Sequence, residues 1–223
     1  MPNAAVPHKR SGAVSAHDVH RAEVDRSVTL QRTNTGFFRM SRPSRNPALA
    51  AAFAEYARRH PDQRQVADAF TELLDDVEDP FLRARLAGHF TASALVVSGD
   101  GLRTLLTHHR KLGMWLQPGG HADGDQDLAA VALRETQEET GLLDVRVDGT
   151  IFDLDRHWIP EHKDVPGHWH YDVRYVVRAG GDETFVVSEE SHALAWQSIA
   201  EVVDDVTYDA SLRRMAMRWL EAA

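Results

Sequence analysis

The sequence predicts an α+β fold with a β-rich core behind two N-terminal helices, and three observations carry that prediction. Apolar residues recur at helical spacing before residue 80 and in strand-like runs from Phe90 onward. The turn signal Ser98-Gly99-Asp100-Gly101 joins two such runs as a hairpin does. Further on, strand and helix patterns follow in mixed order, which separates the chain from regularly alternating parallel folds.

Residues 1–45 are rich in Arg, Ser, Asn and Pro, with eight Lys/Arg against Asp18, Glu23 and Asp25. Such a stretch buries too little surface to order itself. A flexible basic arm is expected: a solvated tail, a segment ahead of an internal start at Met40, a targeting extension, or a tether for an acidic partner. Asn46 then caps and Pro47 opens a helix whose Leu49, Phe53 and Tyr56 share a face, until Pro61 ends it. A second helical stretch carries Val66, Phe70, Leu73 and Leu74 on one stripe and stops before Asp79 and Pro80. Residues 46–88 are expected to pack as a helical segment on a main domain at 89–223, with a lid or dimer surface as a further use.

Phe90 to Val97 reads as a strand and Leu102 to His108 as its returning partner. Met114 to Leu116, Val145 to Phe152, Trp169 to Arg178 and Phe185 to Val187 are expected strands, and Asp127 to Thr140 and Ser211 to Leu220 expected helices. The last helix carries Leu212, Met215, Trp219 and Leu220 on one stripe, which suits a core position or a homodimer contact.

Composition narrows the function. The 223 residues give ample material for a core, and 43% hydrophobic with 26% charged residues is ordinary for a globular protein. Cysteine is absent, so disulfides, thiolate metal sites and cysteine nucleophiles are excluded, and any metal must be held by oxygen or imidazole. The net charge of -9 is uneven: the first 45 residues are near +5 and the rest near -14, and an acidic body argues against broad nucleic-acid binding. No apolar stretch approaches the roughly 18 residues that span a bilayer, and the N-terminus lacks the apolar centre of a secretory signal. A cytoplasmic location without membrane contact is expected.

The chemistry concentrates between Gly119 and Leu142. A glycine pair, Gly119-Gly120, leads through Asp123 or Asp125 as caps into a helix that Gly141 stops. At about 100° per residue, Glu135, Glu138 and Glu139 share an arc of about 100°, on a face that Leu128, Val131 and Leu142 make apolar at both ends. Exposed to water, the three acids repel weakly and merely solubilise the helix. Facing a cleft, unit charges about 6 Å apart repel by roughly 3 kcal/mol per pair at an effective dielectric of 20, and a divalent cation resolves the conflict. Ala129, Ala130, Leu133 and Gln137 on the other side suit a helix covered on both faces. An all-oxygen donor set favours Mg²⁺ or Mn²⁺, shared with substrate phosphates, and glycines at a helix N-terminus would let N–H groups approach that anion.

The segment resembles the signature of the Nudix hydrolase family, G-x(5)-E-x(7)-R-E-U-x-E-E-x-G-U with U aliphatic. Gly120, Arg134, Glu135, Glu138, Glu139, Gly141 and Leu142 are in register, while Gln126 stands where the first Glu is expected and Thr136 where an aliphatic residue is expected. The resemblance extends from about Phe90 to Trp196. It implies a mixed β-sheet sandwiched between helices, metal ligation by Glu138 and Glu139, Glu135 as a further ligand or an aid to water deprotonation, and coordination by the Gly120 carbonyl. The first Glu of the signature commonly supports the loop and the Arg, so Gln126 bears on rate and metal affinity more than on fold. Isopentenyl diphosphate isomerases, also in the family, use a cysteine that this chain lacks.

Two flanking clusters follow. Strand alternation places His168, His170, Asp172 and Arg174 on one face, opposite Trp169, Tyr171, Val173 and Tyr175. That face can grip a phosphate, a base edge or a second metal, or form a hydrogen-bonded solvent face. The family resemblance implies that it lines the substrate cleft. A metal site joining His157 to His168 and His170 is a further reading, but the separation across a loop gives it no fixed geometry, and His108 and His109 read as isolated histidines. Glu189 and Glu190 are similar in placement to the extra carboxylate of many Nudix enzymes, as general base or ligand, or else form an exposed acidic turn.

The leading expectation is a Mg²⁺- or Mn²⁺-dependent hydrolase that cleaves a diphosphate linkage in a small nucleoside diphosphate derivative, with an RNA 5′ end as the one nucleic-acid candidate. Glu135, Glu138, Glu139, Arg134, Glu189 and Glu190 would do the chemistry, and Gly119, Gly120, His168, His170, Asp172 and Arg174 would bind substrate. The alternative is a catalytically weak Nudix-like nucleotide-binding or regulatory module, which Gln126 and the basic arm favour.

Overall fold

The computed structural model describes residues 46–222 apart from residues 111, 163–164 and 188–190. The expected basic arm and the Glu189-Glu190 pair lie outside the described residues. Helix α1, Pro47–Arg59, starts where Asn46 accepts from the Leu49 N–H at 3.0 Å, with Pro47 in its first turn. A single 3-10 turn, Pro61–Gln63, leads into α2, Arg64–Leu74. The rest of the chain runs β1 (His89–Val97), β2 (Arg103–His109), β3 (Trp115–Leu116), β4 (Gly119–His121), α3 (Leu128–Thr140), β5 (Val145–Val147), β6 (Asp153–Ile159), β7 (His168–Ala179), β8 (Ser191–Ser198), α4 (Ile199–Asp204) and α5 (Ala210–Ala222).

The spine of the sheet is β1 paired in parallel with β7 over nine positions, from His89 opposite His170 to Val97 opposite Arg178. The other edge of β1 is shared by β4 near its start and β2 near its end, both antiparallel. The outer edge of β7 is likewise shared by β6 and β5. Because β1 is central, all of its residues are buried. Phe90, Ala92, Ala94 and Val96 face a core made with Phe53, Phe70 and Leu74 of α1 and α2 and Leu128 and Val131 of α3. Leu95 and Val97 face a second core under α4 and α5 with Ile199, Val202, Leu212, Met215 and Trp219. Helices therefore cover both faces of a mixed sheet, the expected sandwich.

The structure alters several expected elements. The single strand expected over Val145 to Phe152 is broken, because residues 148–152 bow away from β7 around Gly149. The Asp148 and Phe152 N–H groups still donate to the Val176 and Arg174 carbonyls at 2.8 Å each, and the Asp148 carboxylate accepts from Arg178 at 3.0 Å. Pairing resumes as β6, a strand that the sequence pattern did not reveal. Phe185 to Val187 is irregular: the Val186 N–H caps the end of α3 by donating to the Thr140 carbonyl at 2.7 Å, and Val186 is exposed. The strand beside β2 is instead β8. The stripe offered as a dimer contact is largely core, since Leu212, Met215 and Trp219 are buried while Leu220 is exposed.

Candidate active site

Gly119 and Gly120 lie in β4, opposite Ser93 and Ala92, rather than in a free turn at the head of α3. The helix begins at Leu128, and its cap is Asp127, whose carboxylate accepts from the Ala130 N–H at 3.0 Å. The two expected caps do other work. Asp123 takes φ 49 and pairs with Arg83, while Asp125 accepts from the Asp127 N–H at 3.0 Å and lies 3.3 Å from Arg134. Gly141 does end the helix, in the left-handed conformation at φ 70.

Neither glycine of β4 has room for a side chain. A Cβ at Gly119 would stand 2.7 Å from the Ala92 carbonyl oxygen, and one at Gly120 would overlap the Glu135 carboxylate. The bare backbone lets α3 bring its acids against the sheet, where the Gly119 N–H donates to Glu139 Oε1 at 3.0 Å. The buried stripe of α3 is Leu128, Val131, Ala132, Thr136 and Thr140. Glu135 and Glu139 are half-buried within the same arc and Glu138 is exposed. Of the residues on the other side, Ala130 is exposed, while Ala129 and Leu133 are half-buried against the core. Thr136, at the aliphatic position of the signature, is wholly buried and donates its hydroxyl to the Ala132 carbonyl at 2.8 Å, which satisfies it within the helix. Gln126 is exposed, and Arg134 reaches toward Glu135 at 3.8 Å.

A cavity of about 810 Å³ opens beside these groups. Glu135, Glu138, Glu139, Arg134, Gly119 and Gly120 line it from one side, and His170, Asp172 and Arg174 from β7. Leu112, Met114, Trp158 and Ile159 add apolar surface. His168 is buried and does not line the cavity.

The β7 face is polar as alternation requires, but its charges are paired inward. Asp172 accepts from Thr91 at 3.0 Å, Ser93 at 2.7 Å and Arg174 Nε at 2.7 Å. Arg174 also lies 3.5 Å from Asp153 and 3.3 Å from Asp155. Asp153, fully buried, receives Arg214 at 2.6 Å and also Arg218. Three guanidinium groups thus meet three carboxylates. Burial alone would raise the Asp155 pKa, but the His157 hydrogen bond and the charges of Arg174 and Arg214 outweigh it and hold the carboxyl well below its usual range.

A histidine cluster adjoins this network. The registers His89↔His170 and Thr91↔His121 put His89, His121 and His170 on one face of three strands. Burial lowers the pKa of all three, His121 to about 4 and His170 to about 2. The Arg83 charge adds to it at His121, the crowding of neighbouring imidazoles adds to it at His170, and the Arg85 hydrogen bond partly opposes it at His89. His157 stands opposite His170, so the register supplies a geometry that loop length alone does not. His89 and His121 escaped the sequence reading. The available signal was the alternation of His89, Thr91 and Ser93 with apolar residues, and the position of His121 directly after the glycine pair.

Residues 88–220 match the family model for the NUDIX domain. The chain belongs to the Nudix family. This membership makes it an enzyme of the pyrophosphohydrolase type, and Nudix hydrolases generally use divalent metal ions. Among solved structures, this Nudix chain is similar to a MutT protein from Methanosarcina mazei, with 21% identity and TM-score 0.49 over 66% of this chain and 98% of that one. A C. elegans Ap4A hydrolase binary complex aligns with 15% identity and TM-score 0.47 over 60% and 96% of the two chains. The NUDIX domain of Shewanella oneidensis NrtR complexed with ADP ribose aligns with 20% identity and TM-score 0.44 over 65% and 94%. No curated protein matches the sequence. No helix among the described residues is long and apolar enough to cross a membrane.

Proposed function

We propose that this Nudix enzyme hydrolyses the diphosphate linkage of a small nucleoside diphosphate derivative, using Mg²⁺ or Mn²⁺ held by Glu135, Glu138 and Glu139 with the Gly120 carbonyl. The observation that carries this reading is the carboxylate cluster of α3 lining one cavity with the bare β4 backbone. The donor set fits a hard divalent cation: all its ligands are oxygens, and the Gly119 N–H already orients Glu139 at 3.0 Å. When bound, the ion neutralises the diphosphate and lowers the pKa of a coordinated water.

The chain's own groups do the rest. Water attacks one phosphorus in line, the bridging P–O bond breaks, and a carboxylate of the cluster accepts the water's proton. Arg134 orients Glu135 and the loop through Asp125. His170, Asp172 and Arg174 form the facing wall, and Trp158 with Met114 and Leu112 offers an apolar surface on which a flat base can lie.

The test is product release from nucleotide sugars, dinucleotides, nucleoside triphosphates and capped or triphosphorylated RNA ends, with Mg²⁺ or Mn²⁺. Glu138→Gln and Glu139→Gln are expected to lower turnover by orders of magnitude with an unchanged fold, and unchanged turnover would remove the assignment. Gln126 favours a second reading, a nucleotide-binding regulatory module. Binding across the panel without turnover would select it.

A further inference from the structure

Beside the cavity lies a second donor set, made of nitrogen rather than oxygen. His89, His121 and His170 each present a ring nitrogen, and these three atoms lie within 4.8 Å of one another. They come from β1, β4 and β7, so the cluster is held by sheet register rather than by a loop. Ring centroids are 5.2 Å apart for His89 and His121 and 5.0 Å apart for each pair with His170. Three imidazoles bound tetrahedrally at about 2.1 Å would place their centroids roughly 5 Å apart.

Each of two rings is held through one nitrogen, leaving the other open. His89 donates from Nδ1 to the Arg85 carbonyl at 3.1 Å, which leaves its lone pair on Nε2. That atom is buried, in a side chain 1% exposed, and has no hydrogen-bond partner. A partnerless buried acceptor is costly, and a bound cation would satisfy it. His168 donates from Nδ1 to the Pro166 carbonyl at 2.8 Å, so its Nε2 accepts from His170 Nε2 at 3.2 Å, which leaves the lone pair of His170 on Nδ1. Metal-binding histidines are typically fixed in this way, by a hydrogen bond on the ring nitrogen that does not ligate.

We infer that His89, His121 and His170 form a binding site for a zinc-class divalent metal ion, separate from the carboxylate set on α3. Neutral imidazoles favour Zn²⁺ and Co²⁺ over Mg²⁺ and Mn²⁺. Three protein ligands leave one position of a tetrahedron free, and His121 and His170 both border the cavity. The site stands independently of the hydrolase reading: Mg²⁺-dependent turnover tests one, and metal stoichiometry the other.

The experiment uses tag-free full-length protein, stripped with chelator and desalted, titrated with Co²⁺ by visible absorption and with Zn²⁺ against a chromophoric chelator. One tight equivalent with the intense bands of tetrahedral cobalt is expected. It should persist in Glu138→Gln and be lost in His121→Gln and His170→Gln, both at partly buried positions. Circular dichroism shows that the variants are folded. If they are not, zinc-edge X-ray absorption of the wild type decides, since three imidazoles at about 2.0 Å support the site and an all-oxygen shell overturns it. No tight equivalent in the wild type, or one lost in Glu138→Gln and kept in both histidine variants, also overturns the proposal.

Discussion

Asp153 has no contact with water, yet Arg174, Arg214 and Arg218 converge on it, and the Tyr56 hydroxyl donates to it at 3.3 Å. Removing one partner of a buried ionic cluster leaves the others uncompensated, which costs about 3–5 kcal/mol. Asp153→Ala should therefore lower the unfolding free energy by about that much in a urea titration. Its neighbour Asp155 sets an acid limit. A carboxyl whose folded-state pKa lies below its unfolded value near 4 contributes stability that is complete above that value and is lost as pH falls through the folded one. Melting temperatures should fall more steeply below about pH 4 in the wild type than in Asp155→Asn. Equal slopes would show that the residue is not coupled to folding. The sequence placed Asp172 and Arg174 on one face correctly, but the partners that satisfy them lie far away along the chain, at Thr91, Ser93 and Asp153.

At the scale of elements, the contact of β4 with β1 and α3 separates stability from activity. An added methyl at Gly119 meets the Ser93 Cα at 2.6 Å and the Ala92 carbonyl, backbone that cannot move without disturbing β1. Gly119→Ala should cost about 1–3 kcal/mol, visible in a thermal melt. At Gly120 the obstacle is the end of the Glu135 side chain, which can swing aside. Gly120→Ala should accordingly keep its melting temperature and lose turnover as Glu135 is displaced. A variant that keeps full turnover would show that the position of Glu135 is not needed. The glycine pair was legible as a special backbone, but its strand pairing was not, because two glycines carry no apolar alternation to announce it.

Across the whole molecule, α1 and α2 share one core with the sheet: Phe53 packs on Phe70 and Phe90, with ring centroids 5.6 and 6.0 Å apart. Phe53→Ala should then cost about 3–5 kcal/mol and shift a single cooperative transition, whether followed by helix or by tryptophan signal. Two separate transitions would mean that the helices unfold on their own. The helix boundaries at Asn46 and Gly141, the arc of Glu135, Glu138 and Glu139, and the sidedness of β7 were all determined by the sequence itself. Caps and periodicity act between residues a few positions apart, and so they can be read from the chain. The tertiary structure alone decided that β5 and β6 break around Gly149, that Ser191–Ser198 joins the sheet, and that His89, His121 and His170 meet. Those outcomes depend on strand register between segments tens of residues apart, where backbone hydrogen bonding is nearly indifferent to side-chain identity and the packing of the whole core chooses the partners.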